Sequence, residues 1–142
     1  MKLVDANVLL YAVNTDAPHH DRSVRWLDAA LSGGDTVGFA WVALLAFVRL
    51  STKVGLFPAP LTVDEAMDRV DDWLGAPAAV VVDPSVDHAR IVRDLLRALG
   101  SGGNLVNDAH LAALALEHRC GIVSWDHDFA RFSGVDWQLP PG

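Results

Sequence analysis

Two kinds of apolar pattern alternate along the chain. Short apolar runs bounded by turn residues predict strands at Leu3-Val4, Thr36 to Ala40, Ala79 to Val82, Ile122 to Ser124 and near Trp137. The run Ala79 to Val82 is rich in β-branched residues and is expected to be a buried strand. Segments in which apolar residues recur with helical spacing lie between these runs. Strands that alternate with helices are typical of an α/β fold, so we expect a short, mostly parallel sheet flanked by helices, in a three-layer Rossmann-like arrangement.

The helical segments carry their own start and stop signals. Thr62 to Glu65 matches a capping box and predicts a helix to about Leu74, where Gly75 and Pro77 end it. Trp41 to Ser51 is apolar on nearly all sides, which indicates a buried or interface helix. The other predicted helices are Val8 to Val13, about Asp21 to Leu31, one capped by Ser85 that carries Ile91 to Leu99, and Asn107 to His118. No repeat or linker divides residues 1–142, so we expect one domain.

Composition narrows the class of protein. Hydrophobic residues make up 51% of the chain, enough for a core, and the single cysteine, Cys120, excludes an internal disulfide. No apolar run approaches the roughly 20 residues that a membrane span needs, and a carboxylate follows the first two apolar residues at the N-terminus. These features predict a cytoplasmic protein that does not enter a membrane.

The formal net charge of −7 argues against a large basic surface of the kind that binds nucleic acid through many phosphates. An acidic chain can still act on a nucleic acid if its carboxylates surround a cation, because the metal and a few local basic residues then face the phosphate. We therefore expect any contact with nucleic acid to be weak and to cover few nucleotides.

Three aspartates occupy positions where a ligand site is expected. Asp5 and Asp126 each follow an apolar strand, and ligands of open parallel sheets bind outside the carboxyl ends of the strands. Asp108 begins the helix that leads into the Asp126 strand. A single aspartate at any of these positions is more often a cap or turn residue. For the three together, their spacing alone gives equal support to a metal site and to three separate cap or turn residues.

If the three carboxylates converge, they repel each other unless a cation is present. A hard divalent ion prefers oxygen ligands, so Mg²⁺ or Mn²⁺ is the expected occupant. Such an ion lowers the pKa of a bound water and stabilises the charge that develops on a phosphodiester. The pattern therefore favours hydrolysis of a phosphate ester.

Three ordered motifs carry a family resemblance. Val4 to Leu10 (VDANVLL), Asn107 to Ala115 (NDAHLAALA) and Val123 to Phe129 (VSWDHDF) resemble the acidic motifs of PIN-domain ribonucleases, specifically the VapC-type toxins of toxin-antitoxin pairs. The resemblance covers essentially the whole chain. It implies a PIN-like fold and a Mg²⁺- or Mn²⁺-dependent endoribonuclease with Asp5, Asp108 and Asp126 as metal ligands and Asp128 as a further catalytic residue.

The resemblance also implies partners. VapC-type toxins block translation by cutting a structured RNA, usually a tRNA or a ribosomal RNA, and a cognate VapB-type antitoxin silences them. A homodimer is implied as well. We expect an arginine of the antitoxin to pair with Asp5 or Asp108 and displace the metal.

One position departs from the family pattern. Many members carry a glutamate in the third helix, where this chain has Ala46. The loss of that ligand weakens the affinity for the metal, shifts its role to water and Asp128, which we favour, or marks a nuclease that has lost activity and binds RNA or protein. A phosphatase on a related sheet is a third candidate, against which the lack of an Asp-x-Asp motif after the first strand counts.

Three further residues are candidates for supporting roles. Asn7 lies two residues after Asp5. It is expected to form a hydrogen bond to a carboxylate that binds the metal or, with equal weight, to cap a helix. Arg49 and Lys53 share a face if their helix continues, and there they would touch an RNA phosphate or remain solvated.

Overall fold

Five parallel strands form one sheet in the computed structural model, which describes residues 1–142. The strands are β1 (Lys2–Val4), β2 (Val37–Phe39), β3 (Ala79–Val81), β4 (Gly121–Val123) and β5 (Trp137–Gln138). They lie in the order β3-β2-β1-β4-β5, and every neighbouring pair is parallel. The chain thus adds strands first on one side of β1 and then on the other, which confirms the predicted sheet and creates a crevice at the carboxyl ends of β1 and β4.

Six α-helices connect the strands. They are α1 (Ala6–Val13), α2 (His20–Ala29), α3 (Trp41–Ser51), α4 (Val63–Gly75), α5 (His88–Leu99) and α6 (Val106–Glu117). The predicted capping box starts α4: the Thr62 hydroxyl accepts from the Glu65 amide, and the Glu65 carboxylate accepts from the Thr62 amide. Short 3₁₀ turns cover Gly103–Leu105 and His127–Arg131.

The sheet separates two hydrophobic cores, so the molecule has three layers. Successive strand residues point to opposite faces. Val4 and Val123 therefore join the core with α1 to α4, whereas Leu3 and Ile122 join the core with α5 and α6. All four of these side chains are fully buried, as expected for strands covered on both faces.

Two expectations about the middle of the chain were wrong. The run Ala79 to Val82 was expected to be buried, but Val80 and Val81 are 44% and 40% exposed because β3 is an edge strand. Ser85 does not cap α5: the helix begins at His88, and the Ser85 hydroxyl instead accepts from the Asp87 amide in the preceding turn.

Helix α3 is buried on one face only. Ala43, Leu44 and Phe47 are buried, whereas Trp41 and Leu45 are 43% and 60% exposed. The helix is therefore not the fully buried one that its all-round apolar pattern allowed, and its role as an interface helix stays a prediction. No helix of this protein combines the length and the apolar character that crossing a bilayer requires.

Candidate acidic active site

The carboxyl ends of β1 and β4 place two aspartates at the same edge of the sheet. Asp5 directly follows β1, and its amide donates to the carbonyl of Val123 at the end of β4. Asp126 follows β4 and caps the short 3₁₀ turn by accepting from the Asp128 amide at 2.8 Å. Asp108 lies in the first turn of α6 and reaches this edge from the face of the sheet that α5 and α6 cover.

A hydrogen-bond network holds the Asp5 carboxylate. One oxygen accepts from the Ala6 amide at 2.7 Å, and the other accepts from the Ser124 hydroxyl at 2.7 Å and the Asn7 side-chain amide at 3.3 Å. The side-chain oxygen of Asn7, Oδ1, accepts from the backbone amide of Trp125 at 3.0 Å, and this bond connects the start of α1 to the end of β4. Asn7 thus contacts both Asp5 and the third motif.

Ser124 is a residue of this network that the sequence did not reveal. It is fully buried, donates its hydroxyl to Asp5 and accepts with the same oxygen from the Asp126 amide at 3.0 Å. Its place directly after a buried strand and two residues before an aspartate was the available signal, but a serine there is equally an ordinary turn residue.

Three of the predicted carboxylates approach one another closely. Asp108, Asp126 and Asp128 each offer one oxygen, and these three oxygens lie within 4.8 Å of one another. Asp5 is outside this tightest group but interacts electrostatically with Asp126 and Asp108. The structure therefore brings all four acidic residues to one region.

The crowding changes how these carboxylates ionise. Burial, followed by the charges of Asp126 and Asp5, raises the pKa of Asp108 to about 7. Burial also raises the pKa of Asp5, an effect that Asp126 reinforces and the Ser124 hydrogen bond opposes. Because the ionised forms are disfavoured and the donors are all oxygens, the arrangement fits a hard divalent cation.

A cavity of about 160 Å³ opens beside these carboxylates. Asp5 and Asp108 line it together with Asn107, Val42 and Ala46. Ala46, at the position where the family resemblance implied a glutamate, therefore borders the cavity without adding a carboxylate to it.

The two basic candidates have different surroundings. Arg49 is in the last turn of α3 and lines a neighbouring cavity that it shares with Ala46 and Asn107. Lys53 is exposed and follows the end of α3 at Ser51. Because the helix does not continue to Lys53, the two residues do not share a helix face, and that part of the expectation was wrong.

Comparisons with known proteins agree with this geometry. The family model described as PIN domain matches residues 2–135. Ribonuclease VapC37 of Mycobacterium tuberculosis is 67% identical over 141 residues, which is 99% of this chain and 98% of that protein. Ribonuclease VapC33 of Mycobacterium tuberculosis is 36% identical over 140 residues, again 99% of this chain and 98% of the relative.

Solved structures share the fold at much lower sequence identity. The crystal structure of Mycobacterium tuberculosis VapC20, described as a toxin that cleaves the sarcin-ricin loop, superposes with a TM-score of 0.70 at 16% identity over 96% of this chain and 99% of that chain. VapBC2 from Rickettsia felis, bound to a fragment of promoter DNA, gives a TM-score of 0.70 at 18% identity, with 97% of each chain covered.

Proposed function

This chain belongs to the PIN domain family, among its VapC ribonucleases, and we propose that it is a divalent-metal-dependent endoribonuclease toxin. The observation that carries the proposal is that four aspartates lie together at the carboxyl ends of β1 and β4, where the strand order of the sheet reverses: Asp5, Asp108, Asp126 and Asp128. The pKa of Asp108 is raised there to about 7. Carboxylates that disfavour their own ionisation mark a site built for a cation.

Asp5, Asp108 and Asp126 would hold the Mg²⁺ or Mn²⁺ ion, and Asp128, which has a carboxylate oxygen within 4.8 Å of oxygens of Asp108 and Asp126, would be a further catalytic residue. When bound, the ion neutralises the carboxylates, activates a water and stabilises the charge on the phosphodiester. The protein orients these ligands: Ser124 and Asn7 fix the Asp5 carboxylate, and the Asp128 amide fixes Asp126. Carboxylates that are already fixed by hydrogen bonds do not have to reorient when negative charge develops on the phosphodiester in the transition state. This preorganisation lowers the barrier to the reaction.

The partners follow from the same assignment. We propose that the substrate is a structured RNA, a tRNA or a ribosomal RNA, whose cleavage inhibits translation, and that Arg49 and Lys53 contact its phosphates. A VapB-type antitoxin would silence the toxin through an arginine that pairs with Asp5 or Asp108. The exposed Trp41 and Leu45 of α3 support a homodimer, and an RNA substrate together with the single cysteine favours the cytoplasm.

Cleavage of cellular RNA tests this proposal. Purified protein without antitoxin would be incubated with total RNA in Mg²⁺, Mn²⁺ or EDTA, and wild type compared with Asp5→Asn and Asp108→Asn. We expect discrete products that need the metal and are absent with both variants. Asp94→Asn, an exposed change on α5, is the matched control and should cut normally.

A second candidate function rests on Ala46. The cavity between Asp5 and Asp108 lacks the acid that many relatives place there, so a module that binds RNA or protein with little catalysis is the competing assignment. A folded wild type that cuts no RNA with either metal, yet binds RNA, would favour this candidate over the nuclease.

A further inference from the structure

Two aromatic rings lie stacked beside the acidic site. The ring of His19 is nearly parallel to that of Trp125, with an angle of 12° between their planes and 3.8 Å between their centroids. Trp125 directly precedes Asp126, and its backbone amide donates to Asn7, so the stack is connected to the hydrogen-bond network of the carboxylates. Face-to-face contact of this kind is how aromatic side chains hold nucleobases.

The inner ring of the stack, Trp125, is fixed by its neighbours. Its indole N–H donates at 2.8 Å to Oγ of Ser23, which is fully buried. The guanidinium carbon of Arg22 lies 4.9 Å from the centroid of the indole, within the range of a cation–π contact. Arg22 is itself held by a hydrogen bond that it donates to the Pro140 carbonyl. These contacts orient Trp125 before any ligand binds, so no free energy is spent on ordering it.

The outer ring, His19, is open to solvent. His19 is exposed, and its side chain forms no capping hydrogen bond at the start of α2. The ring of Tyr11 is tilted by 54° to the imidazole, with 5.6 Å between the two centroids, so it does not cover the imidazole as a parallel ring would. Because one face of the imidazole rests on Trp125, its exposed surface is the opposite face and the ring edge.

The charge of the chain favours this kind of contact with RNA. A formal net charge of −7 leaves little basic surface for contacts with many phosphates. Stacking on an aromatic ring needs no charge on the protein and is available to every base, because every base has a π-face. A protein that makes few phosphate contacts therefore gains affinity for RNA from an exposed aromatic ring near its active site.

We propose that His19, supported by Trp125, is a platform on which one base of the RNA stacks, next to the phosphate held at the carboxylates. The assignment rests on the proposed ribonuclease function and names how that site holds its substrate. The base is an unpaired one, because both faces of a paired base are covered by its neighbours in the helix. Stacking on His19 keeps this nucleotide turned out of the RNA and orients its phosphodiester towards the acidic site.

Binding of oligonucleotides with and without bases tests the platform. The full chain with Asp108→Asn, which keeps the RNA intact by removing a proposed metal ligand, would be titrated in Mg²⁺ with a fluorescent 12-nucleotide oligouridylate. Its bases are available because uracils stack weakly on one another. The second probe is a ribose-phosphate chain of the same length without bases. We expect the oligouridylate to bind about 5- to 30-fold tighter, which is the lower part of the range for one stacked base.

Variants at His19 isolate the contribution of its ring. His19→Ala should weaken binding of the oligouridylate by the same factor and leave binding of the probe without bases unchanged, so that the two affinities become equal. His19→Phe, which keeps an aromatic face, should retain most of the difference. The matched control is His118→Ala, because His118 is also exposed but lies at the far end of α6, ten residues after Asp108. This variant should change neither affinity.

Three outcomes would overturn the platform. The parent protein binds the two probes equally or binds neither, His19→Ala keeps the full difference, or His19→Ala weakens both probes equally, as a purely structural role of the ring would. Circular dichroism and thermal melting show that each variant is folded. All three outcomes are distinct from failure of the proposed function, because wild type would still cut total RNA in Mg²⁺ or Mn²⁺. If wild type cuts no RNA but His19 still confers the difference, the ribonuclease assignment fails and the platform stands as part of a module that binds RNA.

Discussion

The two ends of α6 carry carboxylates in opposite electrostatic situations. Asp108 is in the first turn, where the helix dipole favours a negative charge, yet its pKa is raised to about 7. Glu117 is the last residue, where the dipole disfavours a negative charge, yet its pKa is lowered. Local partners therefore outweigh the helix dipole at both ends.

The two carboxylates differ in whether the protein itself supplies partners that balance their charge. Glu117 accepts from both Ser85 and His88, so its charge is balanced within the protein. Asp108 instead lies among Asp126, Asp5 and Asp128, which all raise its pKa. The crowded acids at the Asp108 end of the helix thus lower the stability of the fold, as the proposed cation site would require, whereas the Glu117 end stabilises the fold.

The largest expected effect is on activity at the first end. Asp108→Asn should reduce the rate of RNA cleavage at least about 100-fold because it removes a metal ligand. The same variant should be more stable than wild type without metal, by about 1–2 kcal/mol, since the repulsion is relieved. Cleavage assays and urea denaturation in EDTA measure the two effects, and an Asp108→Asn protein that is less stable would contradict the comparison.

At the other end the same isosteric change should have the opposite effect on stability. Glu117→Gln replaces an ionised acceptor by a neutral amide whose nitrogen cannot accept from Ser85 or His88. We expect the free energy of unfolding to fall by about 1–3 kcal/mol, as for loss of charged hydrogen bonds at a buried site. Urea denaturation at pH 7.5 measures it, with the exposed Asp94→Asn as the matched control.

The pH dependence of stability should show the two ends in separate ranges. The pKa of Asp108 is about 7 in the folded protein, against an ordinary value of 3.8 for an aspartate, so the folded state binds this proton at higher pH than the unfolded state. Stability of the metal-free protein should therefore rise by about 1–2 kcal/mol from pH 8 to pH 5 relative to Asp108→Asn. Glu117 behaves in the opposite way, because its pKa is lowered in the folded protein and its ionised form therefore stabilises the fold. This stabilisation is lost only as the pH falls below the usual pKa of a glutamate.

The comparison with Asp108→Asn is needed because histidines titrate in the same range. Burial and then the neighbouring His88 lower the pKa of His110, so its neutral form favours folding and its contribution falls as the pH drops. This opposing slope is common to both proteins and cancels in their difference. Equal pH profiles for the two proteins would show that Asp108 ionises normally.

The smallest expected effect concerns Ala46. Ala46→Glu adds an acid to the cavity lined by Asp5 and Asp108, so it should increase the rise in melting temperature on adding Mg²⁺ by a few degrees, equivalent to about 1 kcal/mol of linked binding. Ala46→Gln, of similar size without the charge, should leave the Mg²⁺ effect as in wild type. An equal rise for both variants would mean that this position lies too far from the ion to matter.

Periodicity and strand-end rules predicted the parts of the molecule that depend on local sequence. The capping box at Thr62 and the positions of Asp5, Asp108 and Asp126 at one edge all follow from neighbours along the chain. They are confirmed as positions, while their roles as ligands stay predictions. The parallel sheet followed equally from the alternation of strands and helices.

Features that depend on distant partners were not predictable in this way. Ser85 was assigned as a helix cap, but its amide binds Glu117, 32 residues away. The exposure of β3 depends on the order of strands in the sheet, which its own apolar sequence does not encode. The hydroxyl of Ser124 gains its importance from Asp5, 119 residues earlier, and no local pattern distinguishes it from other serines.

The place of β1 in the middle of the sheet has a consequence for biosynthesis. The strand that completes the surroundings of Asp5, β4, and the acids Asp126 and Asp128 are synthesised more than a hundred residues after Asp5. A chain whose synthesis has not yet reached Asp108 therefore has one acid of the site and none of the cluster. The acidic site is accordingly incomplete until elongation has passed residue 128.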